Sequence, residues 1–230
     1  MKAITATLSL AICLTIIFTT TAQAEFITSN NTMLGMPVID FSTQPTVFNA
    51  VGPIQLVNSY GLNIEVTSKA NSGLYTNFNG WGFMYNGNWG DGKTYISAFT
   101  STTAADSMII HFLDGPVSGV GGFMNYAIGA GDLWISALDS SLNVLETYDV
   151  TTLADIITPY SVNAGAFRGI QRTSADISYF VINGLAPGLD DLTFIPKQDP
   201  NPDPDPVPEP STLLLLGAGL GGLAIWRRRS

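Results

Sequence analysis

One cysteine and one histidine in 230 residues narrow the available chemistry. Cys13 lies in an apolar N-terminal run after Ile12, where a lipid-attachment site would want a small residue. The chain beyond that run therefore has no thiol and forms no disulfide. His111 has neither a second histidine nor a downstream cysteine beside it, so the usual zinc ligand sets are missing. No Gly-x-Ser-x-Gly run is present, so nucleophilic triad chemistry also lacks its parts. Positive charge is scarce, with 9 Lys and Arg against 18 Asp and Glu. Four of the nine, Lys2 and Arg227–Arg229, sit at the termini. Five basic and eighteen acidic residues remain between them, a net charge near −13. That balance disfavours nucleic acid and anionic lipid. It fits a soluble extracellular protein, or one that binds a divalent cation. Gly119-Val120-Gly121-Gly122 lacks the following helix and basic residue of a phosphate cradle. It reads instead as close packing or a bulge within a strand.

What is present is short-range alternation. Leu62, Ile64 and Val66 alternate with Asn63, Glu65 and Thr67, and Ile177, Tyr179 and Val181 share one face. This period-two pattern predicts strands. Leu133–Leu138 and Val144–Val150, joined across Asp139–Asn143, read as a hairpin. Further strands are expected over Pro37–Phe41, Thr46–Ala50, Ile54–Asn58, Gly82–Tyr85, Thr94–Phe99, Met108–Leu113, Val117–Asn125, Phe167–Thr173 and Asp191–Ile195. Only Thr152–Ile157 suggests a helical turn. Many short strands with frequent Gly, Asn and Asp predict an all-β domain, a β-sandwich of jelly-roll type, over residues 25–196.

The two ends carry addresses. Lys2, the apolar run Ala3–Phe18 and the small residues of Ala22-Gln23-Ala24 form a signal peptide over residues 1–24, cut by signal peptidase to leave Glu25 first. After Pro196, residues 197–206 alternate proline with acidic or polar residues and form an extended spacer. The last segment, 207–230, reads Val207-Pro208-Glu209-Pro210-Ser211-Thr212, then apolar residues Leu213–Trp226, then Arg227, Arg228, Arg229 and Ser230. As a helix those 14 apolar residues would rise about 21 Å. A hydrocarbon core is about 30 Å thick. With four glycines in the run, it suits transient anchoring, and the arginines act as a cytoplasmic stop.

This tail resembles a PEP-CTERM sorting signal, through Pro208-Glu209-Pro210, Ser211-Thr212, the short hydrophobic segment and the terminal arginines. The resemblance implies recognition and cleavage by exosortase, a membrane-embedded enzyme with a cysteine nucleophile. It also implies transit through the inner membrane to the surface or exterior of a Gram-negative-type bacterium, where many such hosts make an exopolysaccharide matrix. On this reading the chain is an exported, non-catalytic surface or matrix protein associated with exopolysaccharide or biofilm. A carbohydrate-binding module and a glycan-active hydrolase working through paired carboxylates are the alternatives.

Two groups within the domain are candidates for binding. Tyr75, Phe78, Trp81, Phe83, Tyr85 and Trp89 crowd into 15 residues among glycines and asparagines. Trp81, Tyr85 and Trp89 would form a sugar-stacking platform, with Asn77, Asn79, Asn86 and Asn88 hydrogen-bonding the hydroxyls, or else a buried aromatic face flanked by Asn-Gly turns. Leu189–Phe194 is similar to the closing strand, and Val38–Phe41 to the opening strand, of jelly-roll domains of sorting-signal proteins and carbohydrate-binding modules. In such folds these strands often lie close, and the similarity implies a structural Ca²⁺ on Asp40, Asp190 and Asp191. The period of two puts Asp190 in phase with Leu192 and Phe194, and Asp191 out of phase.

Overall fold

In a computed structural model, residues 23–69, 72–76, 81–90, 93–100, 106–129, 131–163 and 165–197 are described. The signal segment up to Ala22, the residues Asn77 and Asn79, the spacer beyond Lys197, the sorting motif, the apolar run and the terminal arginines lie outside them. The chain divides into two compact units, Met1–Pro196 and Lys197–Ser230.

The described part of the first unit is all-β. One sheet runs in the order β1 (Ala24–Ile27), β14 (Ala166–Arg172), β11 (Val117–Asn125), β16 (Gly188–Pro196), β9 (Ile96–Phe99), β6 (Gly73–Thr76) and β3 (Val47–Ala50). Its eighth strand, β2 (Val38–Ile39), also pairs with β16. The second sheet runs β13 (Val144–Asp149), β12 (Trp134–Leu138), β15 (Tyr179–Gly184), β10 (Asp106–Phe112), β5 (Ile64–Ser68) and β4 (Ile54–Gln55). All the pairings that build these two sheets are antiparallel. A two-stranded ribbon, β7 (Trp81–Gly82) with β8 (Asn88–Trp89), completes the set.

The sheets enclose one apolar core. On β10 the residues Met108, Ile110 and Phe112 are buried, while Ile109 and His111 on the other face are half-exposed. Val120, Met124, Leu189, Leu192 and Phe194 close the core from the first sheet. Phe112 meets Phe194 across the gap, with ring centroids 5.4 Å apart. Burying such rings and branched chains is the main favourable term for a domain without disulfides. Three smaller clusters lie outside this core, one of them Ala127, Leu185 and Ala186. Ile27, Met33 and Phe167 form the second, and Phe83, Trp89 and Tyr95 the third.

Glycine permits this layering. A Cβ on Gly121 would meet Arg168 O at 2.7 Å and Gly169 Cα at 2.9 Å; one on Gly119 would meet Met33 and Ile195 side chains at 2.8 Å. Bulges interrupt β11 against β16 near both glycines. Three expectations change. The helical turn is Val150–Leu153, capped by Asp149. Pro37–Phe41 is a two-residue strand followed by a 3-10 turn, because Asp40 caps that turn through Ser42. Gly82–Tyr85 is mostly turn, since Met84 and Tyr85 are left-handed, at φ 37° and 71°.

Candidate functional site

β2 lies against β16, with Ile39 opposite Leu192 and Val38 opposite Thr193. This pairing brings Asp40 to Asp190 and Asp191. One oxygen from each carboxylate lies within 4.8 Å of the others. A Ca²⁺ with ligands at about 2.4 Å has the reach to touch all three. The phase expected for the two adjacent acids is not the one found. A bulge opposite Phe123 inserts a residue at Asp191, whose φ is 49°. Leu189, Leu192 and Phe194 all enter the core across it. Asp190, paired with Phe123, is therefore out of phase with Leu192 and Phe194, and the extra residue lets both carboxylates converge.

A fourth group joins them. Lys93 Nζ lies 3.4 Å from Asp190 Oδ2 and 3.9 Å from Asp191 Oδ2. The Asp190 side chain is 6% exposed and the Lys93 side chain 49%. Burial, then the neighbouring Asp191 charge, pushes Asp190 up to about 6, against the pull of Lys93. Asp40 goes the other way, because Ser42 donates both its backbone N–H and its hydroxyl to that carboxylate, each at 2.7 Å. A cleft of about 250 Å³ opens beside the cluster, lined by Trp89, Lys93, Phe123, Asn163, Gly165, Asp190 and Asp191.

The aromatic segment divides in two. Trp89 is buried and packs edge-on against Phe83 and Tyr95, at 5.4 and 5.3 Å. It belongs to a core cluster and does not form a surface platform with Tyr85. The backbone of Trp81 pairs with that of Trp89 in the ribbon. Tyr85 is at the surface, 83% exposed. His111, half-buried, stacks on Tyr179 at 4.1 Å and places Nδ1 3.1 Å from Glu65 Oε1.

Sequence reasoning missed Lys93, whose role depends on β9 lying next to β16. It offered Asn86 to sugar hydroxyls, and the structure gives that residue another place. That side chain is fully buried and donates to Asn125 Oδ1, Tyr126 O and Ile156 O at 2.7–2.9 Å. Its Oδ1 accepts from Thr158 N at 2.7 Å. The Asn-Gly pair at Asn86-Gly87 signalled a turn and gave no sign of these buried partners.

Two antiparallel sheets around one core define the described part as an all-β sandwich domain. At the other end, residues 206–229 match the PEP-CTERM protein-sorting motif. The chain thus carries the sorting signal of an exported protein that exosortase handles, with passage through the membrane toward the surface or exterior. Among the described residues no helix is long and apolar enough to cross a membrane. No curated protein matches the chain. Among solved structures, the enzymatically active domain of tailspike protein 4 from bacteriophage CBA120 is similar at 14% identity and a TM-score of 0.32. That alignment covers 68% of this chain and 21% of the tailspike chain, so this chain spans about a fifth of that neighbour's length. The CBM22-1 xylan-binding domain of Paenibacillus barcinonensis Xyn10C is similar at 11% identity and a TM-score of 0.30. There 71% of this chain and 97% of that one are covered.

Proposed function

We propose that this is a non-catalytic protein of the cell surface or extracellular matrix, associated with exopolysaccharide through a jelly-roll ectodomain. The observation that carries the reading is the sorting motif at residues 206–229, downstream of a folded β domain that ends at Pro196. Signal peptidase removes the leader, exosortase reads the motif, and the acidic domain is delivered outside.

The same three carboxylates would hold a structural Ca²⁺, in competition with the Lys93 ammonium. Such an ion binds the folded state and raises stability by mass action. A carbohydrate-binding role for the domain is the second reading, favoured by the exposed rings of Tyr85 and Tyr160.

Replacing Glu209 with Ala tests the sorting step. The variant is expected to collect as full-length precursor in the membrane fraction while the wild type is released. Normal release of the variant would show that the motif is not read. Incubating the exported protein with exopolysaccharide extracted from its host tests the rest. Co-sedimentation without new reducing ends is expected; release of reducing ends would establish a hydrolase instead.

A further inference from the structure

Two neighbouring turns hold tyrosine where turn geometry favours glycine or asparagine. In the first, Asn86 N donates to Phe83 O at 2.8 Å, and the two central residues, Met84 and Tyr85, both have positive φ. A type I′ turn has that pair of left-handed residues, normally Asn, Asp or Gly. In the second, Ser161 N donates to Thr158 O at 3.2 Å, and Tyr160 has φ 62° directly after Pro159. Proline followed by a left-handed residue is the pattern of a type II turn, where glycine is preferred third. Bulky side chains in this region persist only when the surroundings impose the conformation, and such outliers cluster at functional sites.

The surroundings do impose it. The buried Asn86 amide ties the first turn to Ile156 and Thr158. Asn88 N donates to Ser161 O, and Asn163 N to Asn88 O, at 3.0 and 2.7 Å. The turns touch, since a Cβ on Gly87 would stand 2.7 Å from both Thr158 O and Ser161 O. Met84 faces inward against the cluster of Ala127, Leu185 and Ala186. Tyr85 and Tyr160 are the outward residues, 83% and 96% exposed, with Ile157 and Val162 also exposed nearby.

We propose that Tyr85 and Tyr160 form a two-ring stacking platform for a neutral pyranose polysaccharide. The proposal rests on the reading of the chain as an exopolysaccharide-associated protein and names the surface that makes the contact. A tyrosine ring offers a flat apolar face to the C–H face of a sugar and a hydroxyl at its edge. With both turns locked beforehand, little ordering is lost on binding. The patch residues carry no formal charge, which favours an uncharged polymer. The acidic excess of the domain, with four basic against fourteen acidic residues over 25–196, disfavours anionic lipid and polyanionic glycans.

The test uses the exported protein, its Tyr85→Ala/Tyr160→Ala double variant, and the single variants Tyr85→Gly and Tyr160→Gly. Affinity electrophoresis is run in hydroxyethylcellulose, galactomannan, alginate and total exopolysaccharide from the producing strain. Vesicles of phosphatidylglycerol and sedimentation of the protein alone cover the other occupants. The wild type is expected to be retarded by at least one neutral polymer and not by alginate. The double variant should bind at least tenfold more weakly. The glycine variants, relieved of left-handed strain, should lose affinity with an unchanged or raised melting temperature. Equal retardation of wild type and double variant would overturn the platform while leaving exopolysaccharide association standing. No retardation by any polymer, the strain's own included, would overturn both. Tyrosine-dependent vesicle binding or self-association would overturn the platform by assigning these rings to a lipid or to a second copy.

Discussion

At the scale of single residues, the fold moves the Asp190 carboxyl well above its ordinary value. Burial holds its carboxyl at about 6, above the roughly 3.9 of an unfolded aspartate. The folded state therefore binds this proton more tightly between about pH 4 and pH 6. The stability it contributes is complete below that window and is lost as pH rises through the folded value, an effect on the order of 2–3 kcal/mol. In chelator, Asp190→Asn should gain melting temperature relative to wild type on going from pH 4 to pH 7; a constant difference would contradict the shift. At pH 7 a saturating Ca²⁺ concentration should raise the wild-type melting temperature and leave the variant unmoved. Equal wild-type melting in calcium and chelator would leave the three acids with Lys93 alone. The three acids were singled out in the sequence through the likeness of Val38–Phe41 and Leu189–Phe194 to jelly-roll strands, and the fold brings them together. Lys93, Tyr160 and the buried role of Asn86 were not legible there. Lys93 meets residues about a hundred positions away, and the Asn86 partners Ile156 and Thr158 are 70 and 72 positions away. A period-two pattern carries no information at that range.

At the scale of elements, the glycine-rich strand β11 shows what composition foretells and what it omits. Its bounds, Val117–Asn125, are those that alternation suggests, and its glycines do allow close approach. The bulges opposite β16 were not legible, because a bulge is a relation between two strands, and that relation reversed the phase of Asp190. Short elements were lost for a local reason. Asn88–Trp89 sits in a run of Asn, Gly and aromatic residues whose turn signals mask a two-residue strand. Ala24–Ile27 forms the edge strand β1 against β14, beginning one residue before the expected first residue of the mature chain. Gly121→Ala tests the close approach. Its Cβ would meet backbone atoms of Arg168 and Gly169 that cannot turn aside, so a loss of about 1–3 kcal/mol is expected in chemical denaturation. Gly82→Ala, whose Cβ would meet nothing nearer than 3.8 Å, serves as the control. Equal stability of the two variants would contradict the packing account.

At the scale of the whole molecule, the chain joins a cysteine-free acidic sandwich to a tail that carries an address. The sandwich class was readable from many short alternating segments and from the lack of helical period, since two sheets sharing a core need one apolar face per strand. The strand order was not readable, because it depends on pairings such as β2 with β16 and β9 with β16 that join distant segments. The address was readable in full, because a sorting signal is recognised as a linear string and residues 206–229 carry it unbroken. Export thus rests on sequence, while the binding surfaces rest on the fold. The most direct measurement is the intact mass of the protein recovered from outside the cell. Processing at both ends predicts a chain that begins at Glu25 and lacks Leu213–Ser230. An extracellular protein still carrying Arg227–Arg229 would contradict it.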